Sequence, residues 1–100
     1  MSFEEAVREL EGFQQKTVSL RFRPVGWKGQ LFEMHDEVDR VWTDEHGVAF
    51  VVFSSVESAV TLRPSQFVDA TWEASTWPDG QAHPVLRLRA NAMDIELESL

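Results

Sequence analysis

The chain has 100 residues, 43% of them hydrophobic, with four Trp, seven Phe and no Cys, and seventeen acids against nine bases give a net charge of −8. That length suits a single domain over residues 1–100 with one modest core, and the missing cysteine excludes a disulfide framework, a thiolate nucleophile and a zinc ribbon. The charge disfavours DNA, RNA and anionic membranes, all repelled at long range, and permits a basic protein partner.

Ser2 followed three residues later by Glu5 forms a capping box, and Phe3, Ala6, Val7, Leu10 and Phe13 make an apolar stripe at helical spacing. A helix is therefore predicted over residues 3–11, with Gly12 as its stop. From Thr17 the period changes to two: Val18, Leu20 and Phe22 face one way, Ser19, Arg21 and Arg23 the other. Pro24 to Gly29 is a loop. A strand follows at about 30–35 and continues at about 38–43 after a bend at Asp36-Glu37. Asp44 to Gly47 is a turn into Val48–Phe53, a continuous apolar run whose composition predicts the central strand. Another strand is expected at about 56–63, with Val56, Ser58, Val60 and Leu62 on one face. Pro64 to Phe67 suits a 3₁₀ turn, and Val68, Ala70, Trp72 and Ala74 then alternate as core positions, with Trp72 buried. Ser75 to Pro84 reads as the longest loop.

Residues 85–100 read as a β-hairpin. With Asn91-Ala92 as a two-residue turn, Arg89 lies opposite Asp94 and Arg87 opposite Glu96, while Leu88 meets Ile95 and Leu86 meets Leu97 on the other face. Ala92 is a poor residue for a type I′ turn, where both central positions need positive φ. In this register two of the nine basic residues are cross-strand partners rather than a nucleic-acid strip. The predicted fold class is α+β: an N-terminal helix on a strongly bent antiparallel sheet or small SH3/Sm-like barrel, with the hairpin added at the C-terminus. No apolar run approaches the roughly 20 residues of a bilayer span, and the acidic opening Met1-Ser2-Phe3-Glu4-Glu5 differs from the basic start of a signal peptide, so a cytoplasmic location is expected.

Two stretches carry a resemblance to the Sm-like small barrels. Gly29-x-Leu31 followed by Val38-Asp39 resembles the first Sm motif, in which Gly-x-Leu precedes an acidic residue and then Met-Asn. Leu62-Arg63-Pro64-Ser65-Gln66-Phe67-Val68 resembles the second, an apolar residue, then Arg-Gly, then an apolar strand. The likeness covers about residues 3–74 and implies RNA binding with Arg63 as a contact. The departures are His35 in the slot of the family's Asp, Asp39 in that of the base-contacting Asn, and Pro64 in that of the Gly. A carboxylate beside phosphates opposes RNA binding. The acidic, helix-led barrels that inhibit the Rho termination factor are the more similar functional type, by analogy of fold.

His35, Asp36, Asp39, Asp44 and His46 are the only cluster of acid–base or metal-binding residue types, but no recognised ligand spacing is present. There is no nucleophile elbow or phosphate-binding loop, so no catalytic residue, metal or cofactor is assigned. Trp27 and Trp77 lie in Gly- and Pro-rich loops, as lids on the barrel or as anchors for a partner. Arg21, Arg23 and Lys28 near Trp27 would suit single-stranded nucleic acid, were the net charge not adverse. Glu33, Asp36, Glu37, Asp39, Asp44 and Glu45 fall within thirteen residues and make an acidic hairpin able to mimic a phosphate backbone. The expected function is a non-enzymatic protein–protein interaction module, in its sharper form an acidic inhibitor or regulator of a nucleic-acid-handling protein. Its partner surface would be Trp27, Trp77 and these six acids. The alternatives are an Sm-like RNA-binding module using Arg63, Arg21, Arg23 and Lys28, and a small hydrolase or metal-dependent enzyme using His35, Asp36, Asp39 and His46.

Overall fold

The Ser2 hydroxyl accepts a hydrogen bond from the Glu5 amide at 3.1 Å, and the Glu5 carboxylate accepts one from the Ser2 amide at 3.0 Å. This reciprocal capping starts helix α1, Phe3–Glu11, in a computed structural model that describes residues 1–56 and 59–100. The helix stops at Gly12, which keeps a right-handed conformation; the left-handed residue is Gln15, at φ 67°. Seven strands follow: β1 Thr17–Pro24, β2 Phe32–Thr43, β3 Ala49–Phe53, β4 Ala59–Leu62, β5 Phe67–Thr76, β6 Ala82–Ala90 and β7 Met93–Ser99. A single 3₁₀ turn at Pro64–Gln66 leads into β5 as expected. Of the strand predicted at 56–63, β4 takes up Ala59–Leu62 and Val56 lies in a bend, while Ser58 lies outside the described residues. No helix among the described residues is long and apolar enough to cross a membrane.

The strands form one antiparallel sheet in the order β4-β3-β2-β1-β7-β6-β5. Three expectations about architecture are corrected by this order. β4 and β5 stay at opposite edges, so barrel closure is not seen. The terminal hairpin is no appendage either, because β7 pairs with β1 along Val18–Pro24 and carries β6 and β5 beyond it. The central strand is β1, not the apolar run at β3, which lies second from an edge. Only alternate residues of β3 are fully buried, Ala49, Val51 and Phe53, while Phe50 and Val52 look outward.

The bend in β2 has a specific cause. Its pairing with β1 ends at Thr17↔Glu37, and its register with β3 slips between Val38 and Arg40. The α1–β1 connection fills the gap. The Val38 amide donates to the Lys16 carbonyl (3.0 Å), the Gln15 amide to the Val38 carbonyl (2.7 Å), the Gln15 side chain to the Asp39 carbonyl (2.7 Å), and the Val41 amide to the Gln14 side chain (2.8 Å). β2 is thus one continuous strand that turns at a bulge near residue 39, a little beyond the expected bend. The extra residue reverses the alternation: Val38 and Val41 are both buried, and Arg40 and Trp42 turn outward.

α1 covers the inner face with Ala6, Val7 and Leu10, over a core that includes Val18, Leu20, Leu86, Leu88, Ile95 and Leu97. Phe3 packs on Phe67 and Phe13 on Trp72, with ring centroids 5.5 and 6.0 Å apart. On β5 only Ala70 of the four predicted core positions is buried. Val68, where the β5–β6 register slips between Phe67 and Asp69, is 67% exposed, and Trp72 on this edge strand is 42% exposed. β5 and β6 also extend into the predicted 75–84 loop, reducing it to a tight turn after Thr76.

The terminal hairpin has the predicted register at every pair, and Asn91 (φ 49°) and Ala92 (φ 61°) adopt the positive angles of a type I′ turn. An alanine methyl in the left-handed region is strained. Ala92→Gly is therefore expected to stabilise the fold by about 1 kcal/mol and raise Tm by about 5 °C in thermal unfolding. An unchanged or lower Tm would show that the extra freedom of glycine in the unfolded chain outweighs that strain.

Candidate functional site

The outer face of the sheet is a lattice of alternating charge. Arg21 of β1 lies 3.6 Å from Glu96 and 3.5 Å from Glu98, both on β7, and Arg23 lies 3.0 Å from Glu96. Arg89 makes two bonds to Asp94, at 2.8 and 3.1 Å, as the hairpin register predicts. Arg87 does not pair with Glu96 opposite it; it reaches outward to Glu73 of β5, at 2.9 Å. Two carboxylates in this lattice are nearly sealed, Glu98 at 2% exposure and Asp94 at 3%. The hydrogen bonds from Arg89 hold the Asp94 carboxyl below its ordinary value of 3.8, outweighing the opposing effect of burial. Arg21 and Arg23, two cations of the alternative nucleic-acid-binding reading, are thus engaged with glutamates, while Lys28 stays in the exposed β1–β2 loop.

Trp77 closes one end of this lattice. Its ring stacks on His83 at 3.8 Å and its indole N–H donates to Glu98 Oε2 at 2.8 Å, leaving it half-buried as a lid against the sheet's outer face. Trp27 behaves differently. It stays 58% exposed in a loop that also exposes Val25 and Leu31, next to the exposed Phe32 at the start of β2.

The six acids of the predicted recognition hairpin occupy distinct settings. Asp36 faces inward and binds the Ser55 hydroxyl (2.8 Å), the Ser55 amide (3.0 Å) and the Glu37 amide (2.8 Å). Desolvation alone would raise its pKa, yet these hydrogen bonds together bring it below the ordinary 3.8. Asp44 accepts the amides of His46 (2.8 Å) and Val48 (3.0 Å), which shapes the β2–β3 turn. Glu37 accepts the Ser54 hydroxyl at 3.0 Å. Glu33, on the outer face, accepts the Ser19 hydroxyl and lies 3.3 Å from His35. Asp39 and Glu45 are exposed, and neither side chain takes part in shaping a turn.

His35, Asp36, Asp39 and His46 are not gathered together. His35 pairs with Glu33, Asp36 faces inward, Asp39 sits at the bulge and His46 lies beside Glu45 in the turn. Among the described residues no three His, Asp or Glu side chains are placed to hold a metal ion. Arg63 lines a cavity at the open side of the bent sheet; Asp39, in the companion slot of the Sm-like pattern, does not line it.

Two features escaped the sequence reading. The first is an aromatic platform on the outer face of β2 and β3, where Trp42 stacks on Phe50 with centroids 4.6 Å apart and planes within 20°. The Arg40 guanidinium sits 5.7 Å from the Trp42 centroid, and Trp42 remains 40% exposed. The bulge concealed it, because uninterrupted alternation puts Trp42 on the face of Val38. The second is the cavity itself, whose walls come from strands far apart in sequence. No known family model, characterised protein or solved structure matches this chain.

Proposed function

We propose that the chain is a non-enzymatic protein–protein interaction module that presents the Trp42–Phe50 platform and its acidic neighbours to a basic protein partner in the cytoplasm. The observation that carries this reading is the exposed, stacked Trp42 with Arg40 over its ring. Large aromatics and arginine are the residue types that dominate binding hot spots, and a preassembled stack loses little freedom on association. The same strand and the turn after it carry Asp39, Asp44 and Glu45 beside the platform, a negative rim that would steer a basic partner. With a net charge of −8, the sharper form of this role is an acidic inhibitor or regulator of a nucleic-acid-handling protein.

The test is retention of host proteins on the immobilised chain, comparing wild type with Trp42→Ala and with the double variant Asp39→Asn, Glu45→Gln. Trp42→Ala is expected to weaken the specific partner by about tenfold or more, chiefly by faster dissociation. The double amide should slow association and flatten its salt dependence while leaving the fold intact, since these two exposed acids carry little stability. If both variants retain every protein that the wild type retains, the platform is not the interface.

A further inference from the structure

The bent sheet leaves a cavity of about 370 Å³ on its open side, with no wall contributed by α1. Leu20 and Phe22 of β1, Phe53 of β3, Leu62 of β4, and Met93 and Ile95 of β7 make much of its apolar lining. Besides Thr61 of β4, the polar lining comes from one region of the chain fold, where Arg63 and Gln66 precede β5 and Asn91 forms the β6–β7 turn. The Asn91 amide donates to the Gln66 carbonyl at 3.1 Å and ties the two segments together. Arg63 stands apart from the arginines of the outer lattice. Arg21, Arg23, Arg87 and Arg89 each have a carboxylate partner, whereas no ion pair among the described residues takes up Arg63.

We propose that this cavity binds a single-chain amphipathic carboxylate, with the apolar walls taking the hydrocarbon and Arg63 the head group. The volume falls within the range of small-molecule sites, which are concave, mostly apolar and oriented by a few polar groups. One water-sized group fills about 30 Å³, so the cavity has room for roughly twelve, the number of heavy atoms in decanoate. Charge settles the class of head group. The chain carries a net −8 and repels anions in general, so an anion binds where a guanidinium with no ion-pair partner among the described residues offers its planar fork of donors. The site is separate from the Trp42–Phe50 platform, none of whose residues lines it. Its occupancy therefore stands or falls independently of the proposed protein partner.

Calorimetric titration of the full chain with decanoate tests this, with decanol as the uncharged counterpart. Decanoate is expected to bind one-to-one and saturate below about 1 mM, shifting the methyl resonances of Met34 and Met93. Arg63→Gln is expected to weaken decanoate about tenfold and leave decanol unaltered, a split that a merely structural role for Arg63 would not produce. Val60→Phe, which places a ring in the cavity from β4, is expected to abolish binding of both, with far-UV circular dichroism reporting that the sheet persists. Should that variant unfold, the methyl shifts and the Arg63→Gln comparison decide the matter alone. The proposal is overturned by absence of binding up to about 1 mM, by equal losses for the two ligands in Arg63→Gln, or by methyl shifts confined to residues outside the cavity.

Discussion

Glu98→Ala is expected to destabilise the fold by about 2 kcal/mol and to release Trp77 from the sheet. The Glu98 carboxylate is sealed at 2% exposure, where it accepts the Trp77 indole N–H and faces Arg21. Its removal leaves the indole donor without an acceptor and a half-buried guanidinium, whose Nε already lacks a partner, with only Glu96 beside it. That remaining glutamate keeps the loss below the roughly 3–5 kcal/mol of a wholly orphaned buried charge. Glu98→Gln preserves an acceptor for the indole and should lose less. Chemical denaturation measures the stability, and the Trp77 indole resonance in a nitrogen–proton correlation spectrum reports the ring. If that resonance keeps its shift in Glu98→Ala, the stack on His83 alone holds the lid.

A second large effect is expected at the centre of the hairpin. Leu86→Ala should lose about 3 kcal/mol and lower Tm by about 15 °C, because Leu86 is fully buried and the rigid sheet around it closes poorly over the void. Val68→Ala, by contrast, should change stability by less than about 0.5 kcal/mol, since Val68 is 67% exposed at the sheet edge. Simple alternation along the strands treats both positions as core. Equal losses at the two sites, measured by thermal or urea unfolding, would mean that the β5 edge is covered in solution.

The contrast between β5 and the hairpin shows where local pattern stops being informative. Alternation says that a strand has two faces, and Leu86–Leu97 and Ala70–Leu88 are opposed as that rule requires. It says nothing of whether a second layer covers the inner face. Helix α1 reaches Phe67 through Phe3, but Val68 falls where the β5–β6 register slips between Phe67 and Asp69, and Trp72 and Ala74 stay wholly or partly in water on the edge strand. The bulge in β2 is a second case. It depends on hydrogen bonds with Gln14, Gln15 and Lys16, more than twenty residues earlier, and it puts Trp42, which plain alternation would place on the face of Val38, into an outward-facing platform.

What the sequence determined by itself is local. The capping box at Ser2 and Glu5, the helix at residues 3–11, the 3₁₀ turn after Arg63 and the whole register of the terminal hairpin follow from spacing, capping and turn chemistry within a few residues. The antiparallel, mostly β character follows from period-two patterning in the same way. Only the tertiary structure decided which strands became neighbours and which ionic partners were chosen. β7 took the place beside β1, which held β4 and β5 apart, gave the cavity walls from β1, β4 and β7 together and brought Arg21 to Glu98. Many strand orders satisfy the same alternating pattern. The choice among them is made by packing over long sequence separations, where the loop-closure entropy and the burial of one shared core are properties of the whole chain.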